Sequence, residues 1–423
     1  MLPWSHRLTC CSAVAAALLA VGADWAQFRG PHGGASDERG LPTTWSDQSN
    51  IRWKTPLSGF GASSPIVVGD RIFLNSYSGY GESQTEPGKQ ANLELHVTCY
   101  DRNSGKQLWD YAFPASAEEQ NYQQFVALHG YASGTPACDG AAVYSFFGKS
   151  GVVAVDLEGH ELWKANVGDK THVFGTSNSP LLYKNLVIIN ASVESGALVA
   201  LDKQTGEEVW RAPDIEDAWN TPCLVTLPDG QQELALSVHS KMLGFDPATG
   251  EKLWTCDTIE DYICPSVIAH GNVLYAVGAR KGTAVAVLAG GRGDVTETHR
   301  LWKIAKGSNV SSPVYHDGYL YWAHEGRGFV YSVSATDGKL MYEQRLQPAS
   351  DRIYASPLAA DGKLYYVSRE HGTYVLALKP AFQLLAHNVI ANDKSVFNAS
   401  PVPSRGELLL RSDKFLYCLG GQN

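Results

Sequence analysis

The sequence predicts an all-β protein: an eight-bladed β-propeller with four-stranded blades. Three observations carry this. A hairpin element reading Asp, turn, Gly and then Leu or Val before Trp recurs along the chain. A small residue followed by Pro opens each copy at a nearly constant interval. The last copy lacks one strand, and the N-terminal region has one to spare.

The hairpin element reads "DRNSGKQLW" (101–109), "DLEGHELW" (156–163), "DKQTGEEVW" (202–210) and "DPATGEKLW" (246–254). A stretched copy, "GDVTETHRLW", ends at Trp302, "SATDGKLMY" puts Tyr342 in the Trp place, and a degenerate "KPAFQLLAH" surrounds Leu385. Asp-x-x-Thr-Gly suits a bulged hairpin turn, because Gly tolerates the positive φ required there. The opening prolines are Pro65, Pro136, Pro180, Pro222, Pro265, Pro313, Pro357 and Pro401, at intervals of 71, 44, 42, 43, 48, 44 and 44. Pro at a strand's first residue removes no ladder hydrogen bond. A period near 44 is that of a four-stranded propeller blade.

The third copy shows the four strands plainly: "SPLLYKN", "LVIINAS", "GALVALD" and, after the "KQTG" turn, "EEVWRA". The long first interval holds two insertions, "YGESQTEPGKQANLE" and "PASAEEQNYQQFVALHG". The final copy, "ASPVPSRGELLLRSDKFLYCLGGQN", stops after three strands, while "NIRWKTPL" around Trp53 is an orphan Trp strand. Residues 51–57 are therefore expected to complete the last blade and remove two exposed sheet edges. This divides the chain into a secretory signal (1–23), an N-terminal extension (24–50) and the propeller (51–423).

Composition agrees. Of 423 residues, 44% are apolar and 18% charged, with 41 Gly, 20 Pro, 20 Tyr and 11 Trp, which suits many short strands and tight turns. The net charge of −9, with no basic block, argues against nucleic acid as a partner. His6 and Arg7, the apolar run Ala13 to Val21 and the small residues Val21-Gly22-Ala23 read as a cleavable signal, with an exported, periplasmic or extracellular product. The apolar run is shorter than a membrane span, and no later segment is long enough for one. Cys10 and Cys11 precede that run and do not read as a lipid attachment site. The six remaining cysteines show no zinc, C-x-x-C or haem spacing and read mainly as small buried hydrophobes. Cys256 and Cys264 are the best candidates for a pair.

Two short motifs lose their usual meaning in this frame. Gly148-Lys149-Ser150 ends like a phosphate-binding loop, but Val143 stands where the first glycine is needed and a β-branched run follows. It falls in the turn between the second and third strands of blade two. Arg292-Gly293-Asp294 falls in the enlarged turn of blade five and reads as a surface loop, not an adhesion site.

The repeat A-x-D-x-x-T-G-x-x-x-W, spelled in full by "ALDKQTGEEVW" (200–210), resembles the tryptophan-docking motif of the PQQ-repeat, quinoprotein-like propellers. The likeness spans residues 45–423. "WAQFRGPHGGAS" (25–36), "LPTTW" and "IRWKTPL" are similar to the start of exported bacterial members of that group. The resemblance implies that Trp53, Trp109, Trp163, Trp210, Trp254 and Trp302 pack between blades as structural residues. It also implies one of two activities, since the fold serves BamB-like scaffolds of outer-membrane protein assembly and PQQ dehydrogenases alike. The dehydrogenases need an Arg and a Ca²⁺ on the quinone, Glu, Asn or Asp oxygens on the ion, an Asp base and, in many, adjacent cysteines. No such set can be placed here, no other catalytic motif is present, and no metal-ligand spacing occurs. The leading expectation is a non-enzymatic scaffold or binding module without a cofactor, recognising a protein, peptide or small anionic ligand in the cell envelope. A PQQ- and Ca-dependent dehydrogenase is the alternative.

The turns between second and third strands share one face with the connections entering each blade, and that face is the candidate site. Its turns carry Lys149, Glu194, His239, Lys241, Arg280, Lys281, His324, Glu325, Arg327, Arg369, Glu370, His371, Asp413 and Lys414. The connections add Tyr131, Asn178, Trp219, Tyr262, Asn309, Tyr354 and Asn398, and the first-blade insertions bring Tyr80, Glu82 and His129 to the same side. Arg, His and aromatic residues gathered around one mouth are the mixture found in binding hot spots.

Overall fold

The computed structural model describes residues 25–420. The expected signal, with Cys10 and Cys11, lies outside the described residues. Eight sheets, each built on four antiparallel strands, form an eight-bladed propeller; two of them gain a short parallel fifth strand, and the last takes its outer strand from the N-terminal region. In blade three the strands are Leu181–Tyr183, Leu186–Ala191, Ala197–Asp202 and Glu208–Ala212, as the sequence pattern predicts. Ile51–Pro56 pairs antiparallel with Phe415–Leu419, with Trp53 opposite Cys418, and supplies the outer strand of blade eight. That closure agrees with the sequence reading.

Adjacent blades are joined by two devices. The first is the Trp strand. Trp163 of blade two is packed among Ala142, Tyr144 and Ala154 of its own blade and Ile189, Val199 and Leu201 of blade three. Its Nε1–H donates to the Lys203 carbonyl at 2.9 Å, inside the "DKQTG" turn. Gly206 closes that turn at φ +72°, and a Cβ there would sit 2.6 Å from the Trp163 ring. The glycine is therefore required both for its left-handed backbone and for the indole lying on it. Asp202 completes the turn by accepting the backbone N–H groups of Gln204 and Thr205, which hold its carboxyl below the usual range. Trp109 and Trp302 make the same indole bond, to Leu157 O and Ala335 O.

Trp254 departs from this pattern despite its matching motif. It is buried, but its Nε1–H donates to Glu233 of its own blade at 2.7 Å. Its ring covers Gly244, where a Cβ would meet it at 2.0 Å. The cause is the enlarged turn of blade five. Gly293–Asp294 adds a parallel fifth strand to blade four against Trp254 and Thr255, and Arg292 bonds Glu233 at 2.9 Å. Arg292-Gly293-Asp294 is thus an interblade clasp.

The second device is a closed ring of hydroxyls around the central channel. Ser64 N–H donates to Thr135 Oγ1, and the relay continues through Ser179, Thr221, Ser266, Ser312, Ser356 and Ser400, whose N–H returns to Ser64 Oγ. All eight bonds lie between 2.9 and 3.1 Å. Seven of these residues stand directly before an opening Pro. The exception corrects the sequence reading of blade five. There Val267 takes the Pro place before the strand Ile268–His270, and Pro265 lies two residues too early. Ser312→Ala would strip the buried Ser266 N–H of its acceptor and is expected to cost about 1–3 kcal/mol in urea unfolding.

Cys256 and Cys264, the best candidates for a pair, are not joined. Cys256 is buried in the outer part of blade four, whereas Cys264 lines the channel.

The N-terminal extension crosses the face opposite the candidate mouth. Trp25 bridges Val67 of blade one, Ala26 O accepts the N–H of Cys138 in blade two, and Ala35–Ser36 pairs parallel with Leu358–Ala360 of blade seven. Trp45 then stacks on Tyr365 at 6.4 Å before the chain enters blade eight.

Candidate functional site

The crossing segment places Phe28 at one end of the central channel, and the hydroxyl ring surrounds that end. Above it lies a cavity of about 460 Å³ that opens on the face of the second-to-third strand turns. Its wall comes from the connections entering successive blades, which carry Phe174, Trp219, Tyr262, Asn309, Tyr354 and Asn398, and from the first-blade insertion, which carries Phe125, Leu128 and His129. The cavity is within the size range of small-ligand pockets.

One side of the wall is aromatic. Phe174 packs against Phe125 at 4.7 Å, Tyr262 at 5.1 Å and Trp219 at 5.2 Å, and His172 contacts both Phe174 and Trp219 at 4.9 Å. Trp219 Nε1–H donates to Gly175 O and Asn309 Nδ2–H to Tyr262 Oη, both at 2.8 Å, so the rings are held in fixed orientations. The other side is cationic. Arg369 is buried, stacks 4.6 Å over Tyr354 and donates to Leu128 O and Asn398 Oδ1, while Arg352 lines the cavity and is exposed. Asn398 also donates to Leu128 O, which ties the first-blade insertion across to blade eight. His129, between Ser133 Oγ at 2.6 Å and Phe174 O at 2.8 Å, fixes the insertion to blade three, and burial pushes its pKa below the usual range.

The residues expected at the mouth separate into three groups. Glu325 lines the cavity, with His324 at 3.3 Å, as do Trp219, Tyr262, Asn309, Tyr354, Asn398 and His129. Arg369 and Arg280 reach the cavity through an aromatic ring, Arg280 lying 4.8 Å over Tyr262. The others are not brought to it. Lys149 turns to the Glu118 carbonyl in the short 3₁₀ turn Gly148–Ser150, where no helix follows to cradle a phosphate. His239, Lys281, Arg327, Glu370 and His371 stand in solvent on their turns, and Lys241 faces Asp257 at 3.9 Å. Lys414 is exposed, Asn178 is buried away from the cavity, and Glu82 folds back on Gly79 N. Tyr80 and Tyr131 join Tyr77 and Tyr122 in an aromatic cluster under the insertion.

Glu194 is a correction of a different kind. Its turn is a single helical turn, Ser192–Ser195, that folds inward, so the side chain is buried and accepts a bond from Thr176 Oγ1. Burial pushes its carboxyl up to about 7, against the Thr176 bond. The folded state therefore holds this proton more tightly than the unfolded chain. Stability from this source is full below pH 4.5 and is lost as pH rises to about 7. Glu194→Gln is expected to remove a loss on the order of 3 kcal/mol between those limits, read as urea midpoints at pH 5 and pH 8. Asp413, pushed up to about 6 by burial with Arg411 and Arg369 opposing, acts in the same direction.

Sequence reasoning missed Phe28, Phe125, His172, Phe174 and Arg352. The available signal was position: Phe174 and Arg352, like Trp219 and Tyr354, stand a few residues before a ring hydroxyl.

A calcium-held quinone needs several carboxylate or amide oxygens converging on one point. The lining holds one carboxylate, Glu325, whose Oε2 already accepts the Asn309 N–H at 2.9 Å, and no aspartate. Among the described residues no three His, Cys, Asp or Glu side chains converge in a metal-binding group. The aromatic and arginine wall suits a planar anion, and the donor set does not fit a calcium ion.

A family model described as outer membrane protein assembly factor BamB matches residues 90–277, 195–298 and 238–381. The chain belongs to this PQQ-repeat propeller family. BamB from Burkholderia pseudomallei is 26% identical over 197 residues, covering 44% of this chain and 47% of that protein. A 1-butanol dehydrogenase (quinone) from Thauera butanivorans is 28% identical over 173 residues, covering 33% and 25%. The matches thus span less than half the length of either relative. Among solved structures, BamB from Moraxella catarrhalis aligns with a TM-score of 0.62 at 15% identity, over 88% of this chain and 98% of that one. Quinohemoprotein alcohol dehydrogenase from Comamonas testosteroni gives 0.55 at 11% identity, over 95% and 81%. These PQQ-repeat structures share the fold. No helix among the described residues is long and apolar enough to cross a membrane.

Proposed function

We propose that this PQQ-repeat propeller is an exported binding module that takes an extended segment of a partner protein at the channel mouth. The observation that carries the reading is a channel stopped at one end by Phe28 and lined at the other by aromatic rings and Arg352, with Arg369 behind Tyr354. Apolar surface continues from the cavity wall outward, where Phe125 is 49% and Val173 44% exposed, so the ligand surface is wider than the cavity. Aromatic anchors around a pocket, with an arginine rim, are the composition of protein-binding hot spots. The likeness to BamB supports a protein partner in the cell envelope.

The test is a peptide array scored by Trp fluorescence against the protein and a Phe125→Ser/Arg352→Glu double variant, both changes being at exposed positions. Selected peptides are expected to bind and to lose at least tenfold in affinity with the variant. Peptide binding indifferent to the variant would overturn the assignment. The second reading, a quinone-dependent dehydrogenase, rests on the likeness to the two dehydrogenases. Micromolar binding of PQQ with Ca²⁺ by calorimetry, lost in the variant, would establish it instead.

A further inference from the structure

Among the described residues four arginines are buried, Arg29, Arg102, Arg369 and Arg411, and they are not equally provided for. Arg369 has Leu128 O and Asn398 Oδ1. Arg102 bonds Glu407 at 2.7 Å and Ser404 Oγ at 2.8 Å. Arg411 donates to the carbonyls of Ser63 and Asn75 and also leaves Nε and Nη2 without a partner, but the Asp413 carboxyl interacts with it. Arg29 has one acceptor, the Pro313 carbonyl. It is 5% exposed, its Nε and Nη1 find no partner, and among the described residues no carboxylate lies within ion-pair distance. Burial pushes its pKa down only to about 9, with the Cys223 thiol opposing, so it is charged at neutral pH. A buried guanidinium with most of its five N–H donors idle is costly unless an anion completes it.

A groove adjoins Arg29. It measures about 770 Å³ and lies on the face opposite the mouth, between the N-terminal segment and the inner strands of blades three to six. Thr221, Cys223 and Ser266 form the wall near the channel, and His32, His270 and His316 rim the outside. Phe28 lines both this groove and the mouth cavity and stands between them.

We propose that Arg29 is the core of an anion site on this second face, holding a small inorganic anion or a carboxylate on the edge formed by Nη1 and the second N–H of Nη2. A planar guanidinium edge favours a bidentate oxyanion over a halide. The site is separate from the mouth and stands whether or not the mouth binds peptide.

The test is thermal melting of the full chain with phosphate, acetate and chloride, each titrated at constant ionic strength against a bulky sulfonate buffer salt. Saturating anion is expected to raise Tm by about 3 °C. A rise with phosphate or chloride names an inorganic ion, and a rise with acetate alone names a carboxylate. Arg29→Met is expected to lose the rise and, without anion, to melt no lower than the parent. Arg29→Lys, which keeps the charge but not the fork, is expected to need several-fold more anion and serves if the Met variant does not fold. No rise with any of the three anions, or an equal rise in the variant, would overturn the site.

Discussion

Removing residues 24–57 is expected to turn the protein into an aggregating species. The deletion takes away Ile51–Pro56, so Phe415–Leu419 becomes an open edge carrying unpaired N–H and C=O groups. It also removes Trp25, Leu41 and Trp45 from the core they share with blades one, seven and eight. Light scattering and size exclusion during refolding read the outcome. A truncated chain that stays monomeric with unchanged melting would refute the strand exchange. Supplying the segment 24–57 in trans should restore solubility if the edge is the cause.

Trp163→Ala is the second large effect. The indole is 7% exposed and bridges two blades, so its loss should cost roughly 3–5 kcal/mol. Its partner provides an internal control. Gly206→Ala places a methyl 2.6 Å from the indole at φ +72° and is destabilising on its own. In the Trp163→Ala background the ring is gone and only the backbone penalty remains. The two costs should therefore sum to more than the double variant shows, by about 1 kcal/mol or more in urea unfolding. Strict additivity would mean that ring and turn do not pack as described.

Much of the fold was legible because the repeat states its own physics. Asp, Gly and Trp each have one job in the turn, and a period of about 44 leaves few alternatives. Legibility failed where a neighbour, not the motif, decides. "DPATGEKLW" reads like its relatives, yet Trp254 docks differently because Glu233, 21 residues before it, and Gly293 of the blade-five turn, 39 residues after it, take hold of it. Pro265 fits the period within a few residues while sitting out of phase with its strand. At the mouth, the entering connections identified Trp219, Tyr262 and Tyr354, whereas the charged turn residues mostly proved to be rim or solvent. Turns are polar for solvation alone, so their charge carries little information about direction. Phe28 was beyond reach from sequence, because nothing local says that a segment before the first blade will run across the channel.

The closing strand also has a kinetic consequence. Most contacts in the propeller join residues within one blade and its neighbour, but the seam joins residues 51–56 to 415–419 and Ser400 to Ser64, a separation of 336. Synthesis runs from the N-terminus, so the first strand made is paired by nearly the last. Seven blades can assemble locally while the eighth waits, and loop-closure entropy for the seam falls on the final step. A circular permutant opened between blades four and five, with residues 420 and 50 joined, would turn this seam into a hairpin. It should fold faster than the parent.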